Sequence, residues 1–442
     1  MAMTPEQAAG VYRHRCSDTL ETALGRTRLY RSWRPLDPGG GRSLDERYRA
    51  LPSLTKADIR AHFPNGLVPE GMDLEAALAG GEVSYVRTSG TADEALTNIW
   101  NQAWWDASER ASWSLNAEAA RVATGTHREA ILASALSVGP RSEGEWLPRE
   151  QRLLGRFLFL NEYAFTTEWP EGHERRMLAE LAGFQPDVLE ANPSLLARLA
   201  RFAERTGTAA YQPDLITLTY EYPSAVQLRA IRRVFRSPVA SSYGSTEAGY
   251  VFMECEHGRL HQNAEFCRVD MQPLVDGAAE RGVGRLLVTT LANRWFPLVR
   301  FEIGDIGRLS RAACPCGRTF GLTLEAIEGR LVSVCIGDGD RLVTHWQIDD
   351  ALGRLEGIAQ YRLVQEAPRT VELELVAEAG HAGHVARECA DALQELFGAG
   401  VDVRAHEVPL IHPEHSGKFL LVRRTFPLET ARLVREGDML HG

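Results

Sequence analysis

Between residues 128 and 235 short apolar runs alternate with amphipathic segments, and this alternation limits the possible folds more than any other feature of the chain. Residues 128–138 and 213–219 read as buried strands, while 173–183, 193–206 and 223–235 read as helices. Strands that take turns with helices pack as an α/β layer around a mixed, partly parallel sheet. From 236 onward turn residues multiply, and 249–253, 259–269, 283–291 and 297–310 read as shorter strands of a β-rich subdomain. A second change comes at Glu328-Gly329-Arg330. Beyond it follow a hairpin-like stretch (331–344), a helix (347–355), strands at 359–366 and 370–377, a helix at 381–397 and a strand near 401–408. The expected organisation is a large N-terminal domain over 1–329, β-rich over 236–329, and a small α+β domain over 330–442. A chain of 442 residues with 44% apolar content can bury cores of that size.

Upstream, residues 4–30 read as an amphipathic helix, and Leu51–Arg60 as a loop followed by a helix capped by Thr55. Residues 83–87 form a short strand that runs into the polar turn Thr88-Ser89-Gly90-Thr91-Ala92-Asp93. Residues 103–121 read as one long helical segment.

Composition removes several function classes. The net charge is -10 and Lys and Arg form no block, which argues against nucleic acid as a partner. No run of about 18 apolar residues indicates a membrane span. The first seven residues lack the basic-then-apolar order of a secretory signal, so the expected location is cytoplasmic. Seven cysteines, an odd number in a long chain, argue against a disulfide framework and leave metal binding open.

Of the 49 basic residues only Lys56 and Lys418 are lysines. Where Arg serves nearly every other basic position, a surviving Lys is a candidate for work that needs a compact ammonium on a slender stem. Lys418 ends the polar loop Ser416-Gly417-Lys418. For Lys56, chance survival is the simpler reading.

Four further segments carry polar groups suited to a nucleotide. The turn around Ser89, Gly90 and Thr91 follows a strand and can cradle phosphate through backbone N–H groups and hydroxyls, although such turns also occur as plain caps. In Ser242-Tyr243-Gly244-Ser245-Thr246-Glu247 the aromatic ring can stack on a purine and Gly244 permits close backbone approach. Thr246 and Glu247 can serve phosphate and Mg²⁺. Asp305, within Pro297–Gly307, can accept hydrogen bonds from ribose hydroxyls, and Glu328-Gly329-Arg330 is the fourth segment.

In order and spacing, these five segments resemble the adenylate-forming superfamily of acyl-CoA ligases, and within it the phenylacetate-CoA ligase branch. The Leu51–Arg60 segment and Asn192-Pro193-Ser194-Leu195-Leu196 resemble that branch too, so the match runs from about 50 to 424. The resemblance implies a phosphate loop at Ser89, Gly90 and Thr91, with Ser242, Tyr243, Gly244 and Glu221 around the nucleotide. Tyr243 falls at the adenine-stacking position, Thr246 at a phosphate contact, Glu247 at the Mg²⁺ carboxylate and Asp305 at the ribose carboxylate. It also implies a hinge near Arg330 and a mobile C-terminal domain whose Lys418 reaches the reacting carboxylate and α-phosphate. Lys418, Glu247 and Thr246 are then the catalytic candidates, and ATP or AMP, Mg²⁺ and CoA the expected ligands.

The chain departs from the family pattern twice. The phosphate loop, usually Thr-Gly-Lys-Pro at its end, continues here as Ala92-Asp93-Glu94-Ala95, with two acids where repulsion of a triphosphate is expected. In Thr219-Tyr220-Glu221 the small residue usual before the Glu is replaced by Tyr220, which should reshape the neighbourhood of the adenine and acyl pockets.

Cys255-Glu256-His257-Gly258-Arg259-Leu260-His261 and Cys314-Pro315-Cys316-Gly317 supply thiolates and imidazoles in a number that suits tetrahedral, structural Zn²⁺. The expected ligands are Cys255, His261, Cys314 and Cys316, with His257 as substitute, against the alternative of reduced, unliganded cysteines.

Three functions compete at this level. The first is adenylation of a small, aromatic acid by ATP followed by transfer to CoA. The second keeps adenylation and uses an amine acceptor, or activates nitrite for arylamine diazotisation in secondary metabolism. The third is a non-catalytic nucleotide-binding relative, favoured by Asp93 and Glu94 and opposed by Lys418. A homodimer is compatible with each.

Overall fold

In a computed structural model of the chain, residues 5–88, 95–142, 144, 146–275, 277–435 and 439–440 are described. They group into two compact units. One comprises Met1–Ala120, Ser242–Ile327 and Ala431–Gly442; the other comprises Arg121–Ser241 and Glu328–Thr430.

The first unit opens with the helix Pro5–Arg26. Helices Leu44–Ala50 and Lys56–His62 each start at a capping box, built by Ser43 with Glu46 and by Thr55 with Asp58. In each, the hydroxyl and the carboxylate satisfy each other's backbone N–H, so the helix start is set locally. The antiparallel sheet of this unit runs in the order Ser242–Ser245 (the end of Val239–Ser245), Gly249–Glu254, Leu260–Gln262, Thr323–Arg330, Phe301–Leu309, Val283–Thr290 and Cys267–Pro273. Leu20, Tyr30, Leu54, Phe252, Met271 and Phe301 are fully enclosed in its core. Tyr30 keeps its hydroxyl paired there, donating to the Pro297 carbonyl at 2.9 Å and accepting from the Val299 N–H at 3.0 Å. Leu54 bridges Phe301 in parallel register, which lays the 51–60 segment beside the strand that carries Asp305.

The second unit holds the parallel layer. Its strands run in the order Leu153–Leu154, Phe157–Phe159, Glu129–Leu132, Val188–Ala191, Leu215–Leu218 and the first half of Val239–Ser245. All pairs are parallel except Leu153–Leu154 with Phe157–Phe159. Three of these strands are buried at every residue, as strands covered on both faces must be. Helices His173–Phe184, Pro193–Thr206 and Ala225–Val234 follow the strands. The same unit holds a four-stranded sheet in the order Asp402–Glu407, Thr370–Ala377, Ile358–Ala367 and Val422–Arg424, with helices His345–Gly353 and Val385–Phe397.

The mixed α/β class follows the sequence reading, and several element boundaries differ from it. The expected helix over 103–121 is two helices, Gln102–Trp113 and Ala117–Val122. Asn116 divides them: its Oδ1 accepts the N–H groups of Glu118 and Ala119, both at 2.9 Å, and so caps a new helix. The strand expected over 128–138 stops at Leu132, because Ser134 opens a turn that receives the Ser137 N–H at 2.8 Å. The run 259–269 is also divided, since the Asn263 carbonyl accepts from Phe266 and Cys267 and turns the chain between two strands.

Candidate functional sites

In the first unit the nucleotide candidates gather at the hairpin between Val239–Ser245 and Gly249–Glu254. The Tyr243 hydroxyl donates to Asp305 Oδ2 at 2.7 Å, joining residues 62 positions apart. The Tyr243 ring rests 6.1 Å from that of Phe252. The register shifts between Tyr243 and Gly244, and a Cβ at Gly244 would drive into the Gly249 carbonyl, so only glycine fits this bulge. Gly249 has φ 72°, and a Cβ there would lie 2.7 Å from the Trp104 ring. Thr246 and Glu247 form the hairpin tip, Glu247 buried and Thr246 half-buried, and the tip is pinned by the Ala248 N–H on Ser245 Oγ at 3.1 Å. Ser242 is buried, and its Oγ has no hydrogen-bond partner among the described residues, an orphan hydroxyl suited to a polar ligand. Ser89, Gly90 and Thr91, with Asp93 and Glu94, lie outside the described residues.

The same unit brings Cys255, His261, Cys314 and Cys316 together, with all ligand atoms within 4.8 Å of one another. Cys255 Sγ and Cys314 Sγ are 3.6 Å apart, and Cys316 Sγ is 3.2 Å from His261 Nε2. Local turns aim these groups: the Cys255 carbonyl accepts from Gly258 at 2.9 Å and the Cys314 carbonyl from Gly317 at 3.1 Å. The second ring nitrogen of His261 lies 3.3 Å from Thr323 Oγ1, which orients Nε2 toward the thiols in the manner of an outer-shell partner. Burial, assisted by the Arg318 charge, lowers the His261 pKa and favours the neutral imidazole that metals bind. Three thiols and one imidazole at this spacing fit a tetrahedral Zn²⁺. His257 is exposed and stands outside the cluster.

In the second unit, Glu221 and the Lys418 loop meet. The Glu221 carboxylate accepts from Ser194 Oγ at 2.6 Å and from the Phe419 backbone N–H at 2.9 Å. Burial raises its pKa above the ordinary carboxylate range, against the opposing pull of Ser194, Asn192, Phe419 and the Lys418 charge. The loop closes on itself through Glu414 N–H to Lys418 carbonyl and Gly417 N–H to Glu414 carbonyl, both 2.8 Å. Tyr220, one residue before Glu221, has φ 74°, a costly conformation for a bulky side chain. Its hydroxyl donates to Glu190, and its ring packs against the cluster of Ile131, Ala133 and Phe159. Arg330 ends the strand Thr323–Arg330, and Gly329 before it has φ 111°, open only to glycine.

No family model matches the chain. A curated relative, a phenylacetate-coenzyme A ligase of Thermus thermophilus, is 26% identical over 362 residues, covering 78% of this chain and 74% of the relative. This likeness supports the resemblance to the adenylate-forming superfamily that the sequence motifs carry. Solved adenylate-forming enzymes share its fold. A 2-hydroxyisobutyryl-CoA ligase in complex with 2-HIB-AMP matches with TM-score 0.66 and 19% identity, covering 91% of this chain and 86% of that one. An amide bond synthetase from Marinactinospora thermotolerans matches with TM-score 0.52 and 14% identity, covering 94% and 93%.

The sites contain groups that sequence reasoning did not single out. Phe419 donates a main-chain N–H, which no residue type announces. Ser194 lies in a segment already tied to the branch, but its hydroxyl becomes relevant only once it is seen on Glu221. Thr323 reaches His261 from a strand that the sequence reading did not identify.

Proposed function

We propose that this chain uses ATP to adenylate a small, aromatic carboxylic acid and then passes the acyl group to CoA. The substrate carboxylate oxygen attacks the α-phosphorus, the bond to the β-phosphate breaks, and pyrophosphate leaves. The CoA thiol then attacks the acyl carbon; the bond to AMP breaks and the thiol proton passes to solvent. The observation that carries this reading is the Tyr243–Asp305 contact, which pairs the adenine and ribose candidates across two strands. Ser242 supplies a further hydroxyl, Thr246 a phosphate contact and Glu247 the carboxylate for Mg²⁺, whose bound charge would offset that of the phosphates. Ser89, Gly90 and Thr91 belong to the phosphate loop in this reading. Lys418 stabilises the charge that develops as the acyl phosphate forms. The segment 331–430 acts in this reading as a small mobile domain that changes position between the two steps, with Gly329 as the pivot, whereas Ala431–Gly442, expected within that domain, groups with the first unit. Zn²⁺ on Cys255, His261, Cys314 and Cys316 is structural: four protein ligands leave no position for a reacting water.

ATP–pyrophosphate exchange across a panel of aryl acids, with nitrite included, tests the reading. Exchange with an acid supports it, and silence with every acid overturns it. A second reading replaces CoA with an amine. It draws on Tyr220, whose bulk and strained backbone mark the segment beside Glu221 as specialised, and on the fold shared with an amide bond synthetase. Product mass separates a thioester from an amide.

A further inference from the structure

The catalytic lysine of the proposed reaction sits in a loop held by its main chain, and the Glu221 side chain takes the backbone N–H next to that lysine. Gly417 has φ 77°, and a Cβ there would approach Ser134 Oγ to 2.6 Å, so the loop lies flush on the turn after the strand Glu129–Leu132. Two residues on, the Phe419 N–H ends on Glu221 Oε1 at 2.9 Å. The other carboxylate oxygen takes the Ser194 hydroxyl at 2.6 Å, and Ser194 in turn accepts from Gln227 Nε2 at 2.9 Å. Asn192 caps the helix Pro193–Thr206 and fixes the start of the element that carries Ser194. Glu221 is thus oriented from behind by a rigid helix start and spends its front oxygen on the residue after Lys418.

We infer that Glu221 is a positioning residue that anchors the Lys418 loop through the Phe419 N–H. The inference rests on the adenylation reading. A hydrogen bond to a carboxylate is among the stronger ones available to a loop. Because the anchor grips backbone, it fixes the stem from which the ammonium extends, in addition to the charge attraction between Glu221 and Lys418. The anchor is needed most while Lys418 assists adenylation, so acyl transfer from preformed acyl-AMP depends on it less.

The test compares Glu221→Gln, which keeps a carbonyl acceptor, with Glu221→Leu, which has none, in the full chain. Hydrogen exchange is read at the Phe419 amide, pyrophosphate release with ATP and acid, and thioester formation from supplied acyl-AMP and CoA. Glu221→Leu is expected to speed exchange and slow pyrophosphate release by about tenfold or more, the scale of a lost hydrogen bond to a charged group. Thioester formation is expected to fall by less than pyrophosphate release, so the ratio of the two rates separates loop anchoring from a direct nucleotide contact, and Glu221→Gln restores most of the exchange protection. Gly417→Ala displaces the loop from its own side and is expected to speed the same exchange; it decides the matter if Glu221→Leu does not fold. Unchanged exchange in the folded variants overturns the inference, as does Gln being as damaging as Leu. If the wild type releases no pyrophosphate with any acid, the adenylation reading fails, while the exchange comparison still decides the anchor.

Discussion

Tyr243 and Asp305 hold each other at 2.7 Å, hydroxyl to carboxylate, from two strands of one antiparallel sheet. The bond presets the carboxylate, and the bulge at Gly244 sets the ring at the end of its strand. If the ring stacks on adenine and the acid binds ribose, the two substitutions should separate. Tyr243→Phe keeps the ring and is expected to raise the KM for ATP by less than about fivefold, because the lost bond is within the protein and water can take the hydroxyl's place on the half-buried carboxylate. Tyr243→Ala and Asp305→Ala should each raise it by about tenfold or more, since one loses base stacking and the other a charged acceptor. Steady-state kinetics in ATP measure this, and Phe behaving like Ala would exclude stacking.

Lys418 should be specific to one half reaction. Lys418→Ala is expected to cut adenylation about 10²- to 10³-fold, as removal of one charge-stabilising donor does elsewhere. Lys418→Arg should not restore it, because the planar guanidinium is wider than the ammonium. Single-turnover pyrophosphate release reads the first step, and thioester formation from supplied acyl-AMP should stay near wild type.

The Cys255, His261, Cys314 and Cys316 cluster predicts one zinc per chain by elemental analysis. Cys314→Ser and Cys316→Ser should lose it and lower the melting midpoint by about 5 °C or more, since metal bound only by the folded state adds to folding free energy. His257→Ala should retain full metal, because that side chain is exposed and outside the cluster. Zinc retained by the Cys314 and Cys316 variants would show that it is held elsewhere.

Asp349 predicts a pH dependence of stability. Burial pushes its carboxyl up to about 6, against hydrogen bonds from the Ala225 N–H and the Tyr361 and Tyr222 hydroxyls. In the unfolded chain it titrates near the ordinary value of 3.8, so between these two values the folded state binds more protons. Stability therefore falls as pH rises from about 4 to about 6 and then levels, with a span on the order of 3 kcal/mol from this group. Urea denaturation should show that fall lessened in Asp349→Asn by the same span. An identical pH profile in the variant would rule the assignment out.

Local chemistry was enough for many elements. The sequence determined the helix Pro193–Thr206 to the residue, because Asn192 caps it, proline starts it and Gly207 turns out of it with φ 64°. The capping box at Thr55 and the alternating strand Thr370–Ala377 are legible for the same reason: the signal lies within a few residues. The motifs also offered site candidates from residue type and order alone, among them Lys418, one of only two lysines.

What the sequence could not decide is what depends on distant partners. Val188–Ala191 is four residues with no alternation, and it is a strand because neighbours on both sides pair with it. Whether His257 or His261 joins the cysteines depends on which side chain the strand Leu260–Gln262 turns inward. The Phe419 N–H reaches Glu221 across 198 positions, and a backbone donor has no sequence signature at all. Local propensity acts over a turn or two of chain. Placing a carboxylate against a loop, or four ligands around one point, is the work of packing, which only the tertiary structure expresses.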